Sequence, residues 1–225
     1  MTSQPLAAII FDFDGVLVDT EMLHLAAFQA VAETIGVSLT REDYYRRYLG
    51  LADRECLAAL CAAAARPASP GELDRLVERK RREFARLSRH VGLYPGVREV
   101  LEHLHAGFLL AIASGAFHDE IETILQRAGV RGLFVAIVGA DDVRAGKPAP
   151  DPFVHALRAI NQHAHTSVAA AQCIVVEDSA RGITAAHAAG MRCVAVATSH
   201  ERAELADAEV VIAHLRDLRV EDLPA

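Results

Sequence analysis

The 225-residue chain has no tryptophan, and aromatic residues of all kinds make up only 5% of it. Its 52% hydrophobic content is therefore mostly Ala, Leu and Val, the balance of an ordinary α/β protein, and this excludes a disordered chain. Positive charge is also short. The 23 Lys and Arg stand against 30 Asp and Glu, a net charge of −7 that argues against a nucleic-acid surface, since phosphate-backbone binding needs a clustered basic excess. The four cysteines, Cys56, Cys61, Cys173 and Cys193, include no CxxC pair and no compact framework, which predicts reduced thiols in a cytoplasmic protein. No apolar run reaches the roughly 18 residues of a membrane helix, and no charged-then-apolar leader opens the chain, so neither membrane insertion nor secretion is expected. The expected partner is a small molecule, and the expected assembly a monomer or weak dimer.

What is present is a set of short apolar runs, each ending at polar residues. Leu6 to Phe11 halts at acidic residues and Gly15, as a buried parallel strand does. Phe108 to Ala113, Val135 to Val138, Cys173 to Val176 and Cys193 to Val196 have the same form, and Val210 to Ala213 is a weaker sixth. Helical stretches separate them: Gly96 to Ala106, Asp119 to Ala128 closed by Gly129, Pro152 to Asn161, and Ala180 to Ala189 closed by Gly190. This alternation predicts a Rossmann-like, doubly wound parallel sheet.

Residues 20 to about 90 break the alternation and read as helix after helix: Glu21 to Ile35, Arg41 to Tyr48, Arg54 to Ala65 and Glu72 to His90. Capping patterns mark two starts, Thr40 with Asp43 and Ser69-Pro70-Gly71-Glu72. The prediction is an α/β core of residues 1–18 and 92–225 with an inserted helical domain at 19–91. The basic cluster from Arg75 to Arg89, interleaved with Leu76, Val77, Phe84 and Leu87, reads as the solvated face of the last of these helices.

Ligands of open parallel sheets bind beyond the carboxyl ends of the strands. Asp12 and Asp14 follow the first strand, Ser114-Gly115 the second, Asp141-Asp142 and then Lys147-Pro148 the third, and Glu177-Asp178 the fourth. This set suits phosphoryl transfer. A phosphate monoester is dianionic, so a carboxylate nucleophile needs a divalent cation and further positive groups to offset repulsion. Asp12 has the place of the nucleophile, and Asp14, beside Gly15, that of the general acid and base. Mg²⁺ would be held by Asp12, the Asp14 carbonyl and Asp178, with Glu177 one step back orienting a bound water. Ser114, the Gly115 amide and Lys147 would receive the phosphoryl oxygens, and Lys147 would also keep Asp12 ionised. Helix capping is the rival reading for Ser114 and for Glu177-Asp178.

Taken together in order, Asp12-Phe13-Asp14-Gly15-Val16-Leu17, Ser114-Gly115, Lys147-Pro148 and Val175-Val176-Glu177-Asp178-Ser179 resemble the haloacid dehalogenase superfamily, in its phosphatase and phosphomutase branch. The resemblance covers essentially the whole chain. It implies an enzyme using Mg²⁺ and an aspartyl-phosphate on a small phosphorylated metabolite, with a helical cap that closes over the site. Asp19-Thr20-Glu21 and Tyr48 to Arg54 look like phosphoglycolate-phosphatase-like and β-phosphoglucomutase-like proteins, which places substrate choice in the cap and makes Glu21, His24 and Arg54 candidate contacts. His24 stands where the similar sugar-phosphate mutases carry a histidine that assists proton transfer; a plain structural role is the alternative. Phosphatase, phosphomutase and a non-catalytic phospho-acceptor module are the three functions open at this point. Gly115-Ala116-Phe117-His118 departs from the Lys and Asn that the mutases carry there, which favours hydrolysis.

Overall fold

The computed structural model describes residues 5–165 and 167–223. The chain forms two compact units, one containing the described residues up to Asp19 and from Gly92 onward, the other Thr20–Val91. In the first unit six strands, β1 (Ala8–Phe11), β2 (Leu109–Ala113), β3 (Phe134–Val138), β4 (Cys173–Glu177), β5 (Arg192–Val196) and β6 (Val210–Ile212), form one parallel sheet. Their order is β3-β2-β1-β4-β5-β6. The chain winds one way from β1 to β3 and the other way from β4 to β6, so the order reverses between β1 and β4.

Every residue of β1 and β4 is buried, because helices cover both faces of the sheet. That demand explains their unbroken apolar runs.

The second unit is all helix: α1 (Glu21–Thr34), α2 (Arg41–Arg47), α3 (Asp53–Ala63) and α4 (Pro70–Leu87). Both predicted caps form, Thr40 accepting from the Asp43 amide at 3.1 Å and Ser69 from the Glu72 amide at 3.4 Å. Its core joins Leu25, Phe28 and Val31 to Tyr44, Leu57, Leu60 and Leu76.

Four more helices complete the first unit: α5 (Val97–His105), α6 (His118–Arg127), α7 (Asp151–Ala164) and α8 (Ala180–Ala188). Helix α7 packs on β2 and β3, and α8 on β4 and β5, burying Phe153, Ala156, Ile160 and Ile183 against Ala8, Ile10, Ala113 and Val175. Side chains alternate across a strand, so Ile9, Phe11 and Ile112 face the opposite layer, where α5 meets β2 and α6 meets β3.

The structure departs from the sequence reading at three helix features. Helix α7 runs past Asn161 to Ala164, because the Asn161 side chain closes the following loop itself, donating to the Val168 carbonyl at 3.0 Å and accepting its amide at 2.7 Å. Helix α4 stops at Leu87, and Ser88–His90 tighten into a single 3₁₀ turn. The basic cluster of α4 is not uniformly solvated: Lys80 is 1% exposed. It lies four residues from both Leu76 and Phe84 on the buried stripe, with its ammonium 2.8 Å from Asp53 Oδ1. Arg82 and Arg86 do face outward, paired with Glu78 and Glu83 along the helix, while Arg81, also near Glu78, is half-buried. No helix among the described residues is long and apolar enough to cross a membrane.

Candidate functional site

The register of the central strands decides which side chains meet. Phe11 pairs with Ile112 on one side and Val176 on the other, so Asp12, Ala113 and Glu177 stand at one level, with Ser114 and Asp178 immediately beyond. The amides of Asp12 and Ser114 still bond into the ladder, to the carbonyls of Val176 at 2.8 Å and Val138 at 3.0 Å. Their side chains therefore leave a fixed backbone.

After Asp12 the chain turns sharply, with Leu17 and Val18 bonding back to the Phe13 carbonyl and Gly15 to Val18. Gly15 sits at φ +74°, and a Cβ there would fall 1.9 Å from Asp178 Oδ2. No side chain fits that approach. The Asp12 and Asp178 loops are thus brought together by the absence of one carbon.

Lys147 enters from the loop before α7, over the Phe153 ring. Its ammonium lies 2.5 Å from Glu177 Oε1 and 2.9 Å from Asp12 Oδ1. One ammonium therefore faces a carboxylate oxygen from each of two neighbouring strands. The loop is pinned by Arg181 of α8, which donates to the Lys147 carbonyl at 2.6 Å. Fully buried Glu177 also accepts, at Oε2, the amides of Asp178 and Ser179 and the Ser179 hydroxyl, at 2.9, 3.1 and 2.9 Å. Ser179 is the N-cap of α8, its hydroxyl accepting the Gly182 amide at 3.1 Å.

A Cβ on Gly182 would lie 1.8 Å from the Glu177 carboxyl carbon. Gly182→Ala is therefore expected to push Glu177 off Lys147 and to cost about 1–3 kcal/mol by overpacking, read as a lowered urea midpoint. A midpoint equal to wild type would show that Glu177 is not held this tightly.

Three buried carboxylates converge here. Asp12, Glu177 and Asp178 each present an oxygen within 4.8 Å of the others. Burial, with the charges of Glu177 and Asp14 and against the pull of Lys147, raises the Asp12 carboxyl from 3.8 to about 7. Burial and the charges of Glu177 and Asp12 hold Asp178 well above the carboxylate range. Lys147 would be depressed by burial, but Asp12 and Glu177 keep it above the ordinary lysine value. One ammonium among three carboxylates leaves an excess of negative charge in a dry place. Hard oxygen donors, with no sulfur or imidazole in the cluster, fit a small divalent cation of the Mg²⁺ kind.

Ser114, 2% exposed, accepts the Ala116 amide at 3.2 Å, capping a turn; the N-cap of α6 is Phe117. Gly115 lies in the same turn. The pair Asp141-Asp142 stands outside the carboxylate cluster: Asp141 accepts the His118 amide at 2.9 Å, and Asp142 accepts the Gly139 amide at 2.8 Å and contacts the His118 ring at 2.9 Å. Those two carboxylates splice the loops after β2 and β3.

The remaining candidates belong to the helical unit, where each has partners of its own. Tyr44 donates its hydroxyl to Glu21 at 2.5 Å, tying α1 to α2. Arg54 pairs with Asp74 and donates to the Pro70 carbonyl, tying α3 to α4 at an exposed edge. His24 stacks on Phe84 at 4.2 Å, and its Nδ1 lies 2.7 Å from the Lys80 ammonium. An ammonium only donates, so Nδ1 is the acceptor and the ring proton is on Nε2.

Sequence reasoning missed two contributions. Lys80 was hidden among exposed arginines, and its four-residue spacing from Leu76 and Phe84 was the available signal. The other is the polar triplet after β5. Thr198 donates to the Gly15 carbonyl, Ser199 donates to the Asp178 carboxylate, and His200 donates from Nδ1 to the Asp178 carbonyl at 2.9 Å. The strand-end rule, applied to β5 as to the other strands, points to it.

Residues 9–196 match the family model for haloacid dehalogenase-like hydrolase. A curated relative, the "Phosphorylated carbohydrates phosphatase" of Thermotoga maritima, is 36% identical over 83% of this chain and 82% of its own length. The "Beta-phosphoglucomutase" of Bacillus subtilis is 30% identical over 96% of this chain and 93% of its own. Among solved structures, CbbY from Rhodobacter sphaeroides in complex with phosphate superposes with a TM-score of 0.84 at 28% identity, covering 97% of this chain and 99% of that one.

Proposed function

The chain belongs to the haloacid dehalogenase-like hydrolases, and we propose that it is a Mg²⁺-dependent phosphatase that hydrolyses a small phosphorylated metabolite, of the sugar-phosphate or phosphoglycolate kind, through an aspartyl-phosphate on Asp12. The observation that carries this reading is the convergence of Asp12, Glu177 and Asp178 at neighbouring strand ends with Lys147 from the loop before α7, and with Ser114 just past the end of the next strand.

The Asp12 carboxylate attacks phosphorus, and the bond to the leaving alkoxide breaks as Asp14 supplies its proton. Asp14, now a carboxylate, takes a proton from water, whose oxygen displaces Asp12 and releases inorganic phosphate. Lys147 offsets the charge of the transferring group, and the Ser114 hydroxyl and Gly115 amide donate to its oxygens. Asp12, Asp178 and the Asp14 carbonyl would hold Mg²⁺, which when bound supplies the positive charge that a dianionic ester and a carboxylate nucleophile require. Glu177 acts by holding Lys147 and the turn into α8. Substrate choice is assigned to the helical unit, with Glu21, His24 and Arg54 its candidate residues.

A phosphomutase is the second reading, supported by the Bacillus subtilis relative and by the contact of the His24 ring with the Lys80 ammonium. One experiment separates the two. A panel of small phosphate esters is incubated with Mg²⁺ or with EDTA, following inorganic phosphate and, for glucose-1-phosphate, the sugar product. Phosphate release that depends on Mg²⁺ is expected. Isomerisation without release would replace the phosphatase by the mutase, and release undiminished in EDTA would remove the cation.

A further inference from the structure

The segment that follows β5 touches both loops that carry the proposed cation ligands. Thr198, Ser199 and His200 are consecutive, and each makes a side-chain hydrogen bond into one of those loops. Their backbone is anchored to the sheet, since the Ala197 amide bonds to the Ile212 carbonyl of β6 at 2.9 Å. The contacts are specific in chemistry. A hydroxyl donating to a carboxylate occupies one lone pair and fixes the torsion of the group, leaving its other lone pairs directed elsewhere. An imidazole N–H on the Asp178 carbonyl fixes the peptide that carries that carboxylate, and the Thr198 hydroxyl fixes the Gly15 carbonyl, one residue beyond Asp14.

The packing shows how closely the three parts are set. The Cβ that Gly15 lacks would lie 1.9 Å from Asp178 Oδ2 and 2.6 Å from Ser199 Oγ, so hydroxyl, carboxylate and glycine share one small space. Left to itself, such a carboxylate would rotate toward any donor. Ser199 donates to it, with the charge of Lys147 acting alongside.

We propose that Thr198-Ser199-His200 is a positioning segment that presets the Asp178 carboxylate and the Asp14-Gly15 turn for a divalent cation, and so sets cation affinity without touching substrate. The inference rests on the metal-dependent reading of the site given above. Groups one step behind a metal ligand typically change affinity by about 10–100-fold when removed.

The test measures Mg²⁺ binding by titration calorimetry on the full chain, without substrate, for wild type, Ser199→Ala, His200→Ala and His200→Asn, alongside thermal midpoints in EDTA. Ser199→Ala and His200→Ala are expected to weaken Mg²⁺ by about 10–100-fold with little change in the EDTA midpoint. His200→Asn places an amide N–H close to the position of Nδ1 and is expected to restore most of the affinity. In turnover assays the Mg²⁺ concentration at half-maximal rate should rise in the two alanine variants, while the rate at saturating Mg²⁺ stays within a few-fold of wild type. Wild-type affinity in Ser199→Ala would overturn the positioning role. So would a lowered EDTA midpoint that accounts for the loss, with no rescue by Asn, since that marks loop packing alone. If wild type binds no Mg²⁺, the metal-dependent reading fails and takes this inference with it; wild type binding while the variants match it sinks only the inference.

Discussion

Asp12→Asn is expected to lower phosphate release by about 10⁴-fold or more while leaving a folded protein that is more stable than wild type in the absence of metal. The first part follows from chemistry, because an amide cannot form the acyl phosphate and what remains is catalysis by positioning alone. The second follows from charge. Asp12 is raised from 3.8 to about 7 by burial and by Glu177 and Asp14, against the opposing effect of Lys147. Between about pH 4 and pH 7 the unfolded chain releases this proton and the folded chain keeps it, so the folded state binds more protons and its stability falls as pH rises through that window. Above the folded value the loss is complete, on the order of a few kcal/mol for one buried carboxyl.

Asparagine removes that titration. The gap in thermal midpoint between variant and wild type should be small near pH 4, open toward pH 7 and stay open at pH 8, all in EDTA. Mg²⁺ should narrow it by stabilising the ionised wild-type site. Phosphate release at the wild-type rate would remove Asp12 as nucleophile, and equal midpoints at pH 8 would remove the electrostatic account.

Much of this architecture is legible in the sequence because buried parallel strands have little choice of residue. Ile9-Ile10-Phe11 and Ile174-Val175-Val176 must be apolar on both faces, so they read as strands without any periodicity, and the polar residues that end them mark the site. The same rule brings in Ser114 and Lys147, both far from Asp12 in the chain: Ser114 follows the strand beside β1, and Lys147 lies 2.9 Å from Asp12. Features decided by a distant partner are not legible. Lys80 reads as one more exposed cation until Asp53 and His24 are placed beside its ammonium. The extra turn of α7 depends on a side chain bonding across seven residues to Val168. Asp141-Asp142 has the composition of a ligand pair, but the His118 and Gly139 amides beside it claim those oxygens for loop structure. Ser199 looks like an ordinary turn residue, because its partner Asp178 ends a different strand.

Lys147→Met is expected to cost about 3–5 kcal/mol of stability at pH 8, the largest loss from a single change in the site, and to reduce turnover by about 10²–10³-fold. The lysine lies within ion-pair distance of both Asp12 and Glu177, at 2.9 and 2.5 Å, and Glu177 is fully buried. Methionine fills similar volume but leaves both carboxylates uncompensated, which is the costly way to break a buried pair. The pH dependence has a definite sign. Lys147 is held above its ordinary value, so its contribution is present throughout the range below about 10 and is lost only as pH rises beyond that. Between pH 8 and pH 5 the lysine therefore does not change, and Asp12, titrating near 7, does. Protonation of Asp12 removes one of the two charges that need the ammonium, so the urea-unfolding gap between wild type and variant should narrow from pH 8 to pH 5. A gap that widens toward pH 5, or a variant as stable as wild type at pH 8, would mean that Lys147 is a surface-like charge and that the carboxylate cluster is held by other means. Lys147→Arg sharpens the distinction: a guanidinium keeps the charge but not the compact shape that lets one nitrogen reach both oxygens, so it should recover part of the stability and little of the turnover.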